Sequence, residues 1–226
     1  MSIKNIIVGS ISAAGRYFFF FMAFVGVINM TSCKESDDTE DDFENWQERN
    51  ESYFNNIYSQ AETAIKSGDD SWKIIRVYSK DPLAAKAKTD FIVVHVETEG
   101  AGTESPIFTD KAKVHYRGNL IPTTNYANGL QFDSSWTGEY NLKTMIPSDL
   151  SVSSVISGFS TALMNMHKGD RWMVYIPYTL GYGTIVNERK DSYGTVIMTI
   201  PAYSTLRFDL TLVDYVHVGE TLPKFQ

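Results

Sequence analysis

Side chains able to perform covalent or acid–base chemistry are few and scattered in this 226-residue chain. The four histidines, His95, His115, His167 and His217, fall in no H-x-x-x-H or H-E-x-x-H spacing, so the paired histidines of a zinc hydrolase are missing. The single cysteine, Cys33, excludes an intramolecular disulfide and any metal site built on several thiolates. There is no G-x-S-x-G elbow, no Walker loop and no G-x-G-x-x-G; Gly181-Tyr182-Gly183 extends into none of them. Lys plus Arg number 20 against 27 Asp plus Glu, a net charge of −7 without a basic block, which makes a poor phosphate binder and speaks against a nucleic-acid partner. No metal or cofactor site is expected. The more informative residues are the aromatic ones of the strand-rich segment.

Those aromatics need elements to position them. Apolar residues make up 43% and charged residues 21%, enough for a packed core. From about Asp90 the pattern is that of strands. DFIVVHVETE is β-rich; in KVHYRG, Val114 and Tyr116 share one face while Lys113, His115 and Arg117 share the other. RWMVYIP, residues 171–177, is a further strand. Leu206, Phe208, Leu210 and Leu212 alternate with Arg207, Asp209 and Thr211. One short amphipathic helix interrupts the strands, with Ser153 or Ser154 as its cap, Ile156, Phe159, Leu163 and Met166 on its apolar face and Gly169 at its C′ position. The expected fold is α+β: a twisted antiparallel sheet with one short helix over residues 90–218. Ahead of it, residues 43–67 read as a helix carrying Trp46, Tyr53, Phe54, Ile57, Ala61, Ala64 and Ile65, with Gly68 as its stop. WKIIRVY, residues 72–78, reads as a short strand or extended arm, and SKDP closes a helical extension spanning 43–82. The aromatic stripe of that helix packs either on its own domain or on a second copy, a possible homodimer through residues 43–67.

Four blocks of the strand region resemble the FKBP-type peptidyl-prolyl cis-trans isomerases, in family order. Val114-His115-Tyr116-Arg117-Gly118 is similar to V-H-Y-T-G, and Gly129 to Ser135 to G-x-x-F-D-S-S. VISGFSTALMNMHKGDRWMVYIPYTLGYG, residues 155–183, resembles the V-I-x-G-W segment that runs on to Y-G, and IPAYSTLRFDLTLVD resembles I-P-x-x-S-x-L-x-F-D-V-x-L. The resemblance implies a sheet wrapped around the short helix and a pocket that isomerises X–Pro bonds of polypeptides. It implies catalytic roles for Asp133, Tyr182, Tyr116 and Phe132, and substrate-binding walls at Tyr140, Val155, Ile156, Phe159, Ile200 and Phe208. It also implies macrolide inhibitors as ligands. Departures are visible: Phe159 stands in place of Trp, Ser154 in place of an acidic residue, and the Arg often found after D-S-S has no counterpart from Trp136 to Glu139. The segment from Gly183 to Thr199 is longer than in the minimal family member, and Tyr193 or Ile197 within it could reach a bound peptide.

The N-terminus reads as an address. Tyr17 to Ile28 (YFFFFMAFVGVI) is uncharged but shorter than the ~20 apolar residues of a membrane span. It fits the h-region of a secretory signal, residues 1–32. Met30-Thr31-Ser32-Cys33 then resembles the lipobox of bacterial lipoproteins, which implies lipidation at Cys33. Residues 33–44 form an acidic tether, with seven acids and one base in 34–44. The expected location is the cell envelope, anchored to the outer membrane on its periplasmic or outer face, where exported proteins with slow X–Pro bonds would be clients. Two other readings stay open: a non-catalytic binding module on the same fold, and an interaction lipoprotein working through its 43–78 arm.

Overall fold

A computed structural model describes residues 42–142 and 144–222. The signal segment 1–32, Cys33 and the tether up to residue 41 lie outside the described residues. Among the described residues two α-helices and nine strands follow in the order α1 (Trp46–Lys66), β1 (Trp72–Arg76), β2 (Phe91–Thr98), β3 (Lys111–Asn119), β4 (Gln131–Ser134), β5 (Ser148–Ser151), α2 (Ser157–Leu163), β6 (Arg171–Ile176), β7 (Asn187–Lys190), β8 (Val196–Ile200) and β9 (Leu206–Val216). Seven strands form one antiparallel sheet in the order β1-β2-β6-β9-β3-β4. β5 shares the β4 edge: it pairs with Lys111–Val114 of β3, while β4 pairs with Arg117–Asn119. The α+β architecture of an antiparallel sheet around a short helix, with a helical extension ahead of it, is therefore what the chain adopts.

The sheet is covered on both faces, and β2 shows it. Ile92, Val93 and Val94 are consecutive and all fully buried, whereas a strand with one wet face alternates. Ile92 and Val94 join the core around α2, with Phe159, Leu163, Met166, Val174, Leu210 and Leu212. Val93 points the other way and packs with Phe54 and Ala61 of α1. α2 lies so close to β6 that a Cβ at Gly158 would stand 2.4 Å from Ile176 Cγ2. A methyl group there would force the helix off the sheet.

The aromatic stripe of α1 is spent on the chain's own sheet, the first of the two surfaces open to it. Trp46 enters the main core, and its indole N–H donates to Ser204 Oγ at 2.9 Å. Asn50, one turn on, is fully buried; its Oδ1 accepts the Thr205 N–H at 2.7 Å and its Nδ2 donates to Trp46 O at 2.7 Å. An amide satisfied on both ends fixes the helix azimuth in a way that apolar contact alone does not. β1 pairs residue for residue with β2 as the sheet's edge strand, so the extension continues the sheet.

Two expectations about α2 are corrected. Neither Ser153 nor Ser154 caps it: both belong to a 3-10 turn at 152–154, and the extended residues Val155 and Ile156 separate that turn from the helix, leaving Ile156 as N-cap. Gly169 is not its C′ residue, because α2 stops at Leu163 and the chain turns through 164–170. The positive φ of Gly169 (94°) instead turns the chain into β6, with its N–H on Leu212 O. The long segment 183–199 is built around the β7–β8 hairpin.

Candidate active site

The pocket is assembled from five separate stretches of chain. β3 contributes Tyr116, β4 contributes Phe132 and Asp133, the turn before α2 contributes Val155 and Ile156, and α2 contributes Phe159. Tyr182 follows the 3-10 turn at 178–180, and β9 supplies Phe208. With Leu150 and Ser154 they line a cavity of about 240 Å³. Strand alternation explains the choice: Tyr116 and Phe208 lie on the core faces of β3 and β9, whose partners Leu210 and Gly118 are themselves buried.

Phe208 is the hub. Its ring meets Phe159 at 5.0 Å and Phe132 at 5.5 Å, both edge-to-face, and Tyr116 at 6.4 Å. Tyr116 also meets Phe159 edge-on at 5.9 Å. Edge-to-face sets leave ring faces turned to the cavity, a surface suited to an apolar ring. The set depends on Gly118. A Cβ there would stand 2.5 Å from Phe132 Cζ and 2.8 Å from Phe208 Cε1, so both rings occupy the space a side chain would take.

Asp133 is the single carboxylate in this lining. Tyr116 OH donates to its Oδ2 at 2.9 Å, and its Oδ1 accepts the Ser134 N–H at 3.0 Å. Arg189 Nη1 of the β7–β8 hairpin donates to the same Oδ1 at 3.2 Å. Burial, then donation to the Asp133 carboxylate, pushes the Tyr116 phenol up to about 12. Burial, followed by the Asp133 charge, also raises the Tyr182 phenol. Both phenols therefore keep their protons and remain hydrogen-bond donors at neutral pH.

The structure brings together Tyr116, Phe132, Asp133, Val155, Ile156, Phe159, Tyr182 and Phe208. It places Tyr140 elsewhere, which corrects its position among the pocket walls. Tyr140 lies on the opposite face of the sheet, edge-on to the buried His115 at 6.0 Å, beneath the Arg171 guanidinium at 4.3 Å, with its hydroxyl 2.7 Å from Thr211 Oγ1. The reason is parity: His115 and Thr211 alternate with the pocket-facing Tyr116 and Leu210. Ile200 is a buried core residue at the end of β8, in the same cluster as Phe159 and Phe208, and is not among the residues that line the cavity. Ile197 is half-exposed and Tyr193 almost wholly so on the hairpin. A shallower hollow of about 480 Å³, lined by Ser134 to Thr137, Glu139 and Thr144 to Ile146, lacks the enclosing aromatic walls.

Sequence reasoning missed Leu150, the spacing role of Gly118, and Arg189. For Gly118 the signal was a glycine within a core strand, which marks close approach of other groups. For Arg189 there was none, since 56 residues separate it from Asp133.

Residues 102–213 match the model of the family described as FKBP-type peptidyl-prolyl cis-trans isomerase. The chain is 33% identical over 139 residues to the macrophage infectivity potentiator of Trypanosoma cruzi, covering 62% of this chain and 60% of that protein. It is 36% identical over 110 residues to the FKBP-type 22 kDa peptidyl-prolyl cis-trans isomerase of Escherichia coli, covering 48% and 43%. Among solved structures it is similar to FkpA from Escherichia coli, with 25% identity, a TM-score of 0.49, and coverage of 76% of this chain and 62% of that one. The chain thus spans less than two thirds of the length of the curated relatives it matches.

Proposed function

We propose, from the match of residues 102–213 to the model of the FKBP-type peptidyl-prolyl cis-trans isomerase family, that the aromatic cavity accelerates cis–trans rotation about X–Pro bonds in polypeptides. The observation that carries this reading is an aromatic-lined cavity holding one carboxylate, with that carboxylate hydrogen-bonded by a partly buried phenol.

Rotation about the X–Pro amide faces a barrier of about 18–20 kcal/mol because twisting destroys amide resonance. The planar amide is charge-separated and favoured by water; an apolar cavity withdraws that water and fits a twisted amide better than a planar one. Only the surplus affinity for the twisted state accelerates the reaction. A reduction of about 5–7 kcal/mol gives a gain of about 10⁴- to 10⁵-fold. In this reading Phe132, Tyr116, Phe159 and Phe208 hold the proline ring. The Ile156 N–H, at the start of α2, and the Tyr182 hydroxyl hold substrate carbonyls. Asp133, oriented by Tyr116, sets the polarity facing the rotating carbonyl.

The envelope setting belongs to the same proposal. Its support is the uncharged run Tyr17–Ile28, the Met30-Thr31-Ser32-Cys33 segment that would be lipidated at Cys33, and the acidic stretch behind it. Clients would be exported proteins whose proline bonds limit folding. Attachment in this reading is by the lipid on Cys33; among the described residues no helix is long and apolar enough to cross a membrane.

The test is exchange NMR on a proline-containing peptide with the purified protein, with and without a macrolide inhibitor. Accelerated, inhibitable exchange is expected. Acceleration without inhibition keeps the isomerase and assigns the lost affinity to Phe159, which is smaller than Trp and has no indole N–H. No acceleration by the folded protein sinks the catalytic reading and leaves a binding module.

A further inference from the structure

Asp133 receives its cation from a distance. The chain from Ser134 to Leu142, which follows it directly, contains no Lys or Arg. Arg117, next to Tyr116 on β3, faces the other side of the sheet, over the Trp136 ring at 4.6 Å and onto Gly138 O at 3.0 Å. Among the described residues the cation that reaches the carboxylate is Arg189, with Nη1 3.2 Å from Asp133 Oδ1.

Hairpin geometry aims Arg189 there. In β7–β8 the pairs Asn187↔Ile200 and Arg189↔Met198 share a face. Ile200 is buried and Met198 packs on the core, so this face is turned to the domain, and Arg189 is turned with it. Glu188 and Lys190 take the other face and pair with each other at 3.3 Å.

A half-exposed ion pair such as this contributes little to stability, commonly ~0–1 kcal/mol. Its consequence is directional. A guanidinium on Oδ1 and a phenol on Oδ2 hold the carboxylate from both ends, so its plane is set by two elements that share no sequence. We propose that Arg189 is the positioning residue for Asp133, so that the β7–β8 hairpin orients the carboxylate of the pocket. The inference rests on the isomerase reading for its effect on turnover and on geometry alone for the link itself.

Two measurements test it on the whole protein. The first does not involve turnover. In two-dimensional NMR, Arg189→Ala should shift the Asp133 and Ser134 amides and the Tyr116 ring signals while leaving α1 and β2 unmoved; Asp133→Asn should reciprocally shift the amides of 187–190. Absence of either response overturns the link, and this holds even if the unaltered protein proves not to be an isomerase. The second is kinetic. Arg189→Ala is expected to lower kcat by about tenfold with KM within about twofold, Arg189→Lys to restore most of the loss, and the Asp133→Asn, Arg189→Ala double variant to be no slower than Asp133→Asn. Additive losses, or an effect confined to KM, would mean that Arg189 acts on the substrate directly, and the positioning role would be wrong.

Discussion

Tyr116 and Tyr140 lie on opposite faces of one sheet, both partly buried and both ringed by aromatic groups, yet only Tyr116 opens onto a cavity. Burial raises both phenols. Tyr116 is pushed further by donating to Asp133, whereas Tyr140 is drawn back by its hydroxyl bond to Thr211 and by the Arg171 guanidinium. On the Tyr140 side the space is filled: Trp136 packs at 5.0 Å, His115 at 6.0 Å and Arg171 closes the top, itself held by Asp209 through two bonds of 2.9 and 2.7 Å. On the Tyr116 side the walls stand on Gly118 and stop short of one another. Aromatic residues make a site where their neighbours leave a gap; the same residues make a core where the gap is closed.

Removing the hub should break the contrast most severely. Phe208→Ala is expected to cost about 3–5 kcal/mol of stability, as a large buried ring is lost from three aromatic contacts, and to abolish turnover; denaturant unfolding and exchange NMR report the two effects. Gly118→Ala comes next, at about 1–3 kcal/mol, because the new methyl displaces the Phe132 and Phe208 rings. Its loss of proline-peptide affinity should exceed what that destabilisation explains, and unaltered binding would show that the rings adapt. The two faces separate cleanly in conservative substitutions of their polar groups. Asp133→Asn and Tyr116→Phe should each slow turnover by about tenfold with a small change in midpoint. Tyr140→Phe should cost ~1 kcal/mol in stability and leave turnover intact, since among the described residues its hydroxyl bonds Thr211, away from the cavity.

The smallest effect is a titration. The folded Tyr116 phenol holds its proton to about 12, above the ordinary 10.0, so folding disfavours its ionised form. The associated stability is fully present below about pH 10 and is lost as pH rises from 10 towards 12. Ultraviolet titration of phenolate should therefore lose its latest-ionising tyrosine in Tyr116→Phe, and alkaline unfolding of that variant should show a shallower slope. If Tyr140→Phe removes the latest step instead, the electrostatic contrast between the faces is reversed.

Much of this was legible in local pattern. Alternation in LRFDLTL and KVHYRG placed Phe208 and Tyr116 on core faces, because a strand's period of two is a property of the backbone. The periodic stripe of residues 43–67 marked α1, and the four ordered blocks pointed to the family whose model residues 102–213 match. Caps were less legible. Ser153 and Ser154 have the chemistry of an N-cap, but two extended residues intervene before α2, and nothing in their own side chains reveals that.

The sequence by itself determined which residues of β3 and β9 share a face, that a helix precedes a strand-rich region holding a second one, and that the candidate site would be lined by aromatic residues, since these follow from side-chain type and short-range spacing. The partner of the α1 stripe, the exile of Tyr140 from the pocket and the arrival of Arg189 at Asp133 were decided only by tertiary structure. Each depends on where a connecting segment delivers a side chain after the sheet has closed. Spacing along the chain carries no distance across it: Trp46 meets Ser204, and Arg189 meets Asp133, because paired strands bring them together.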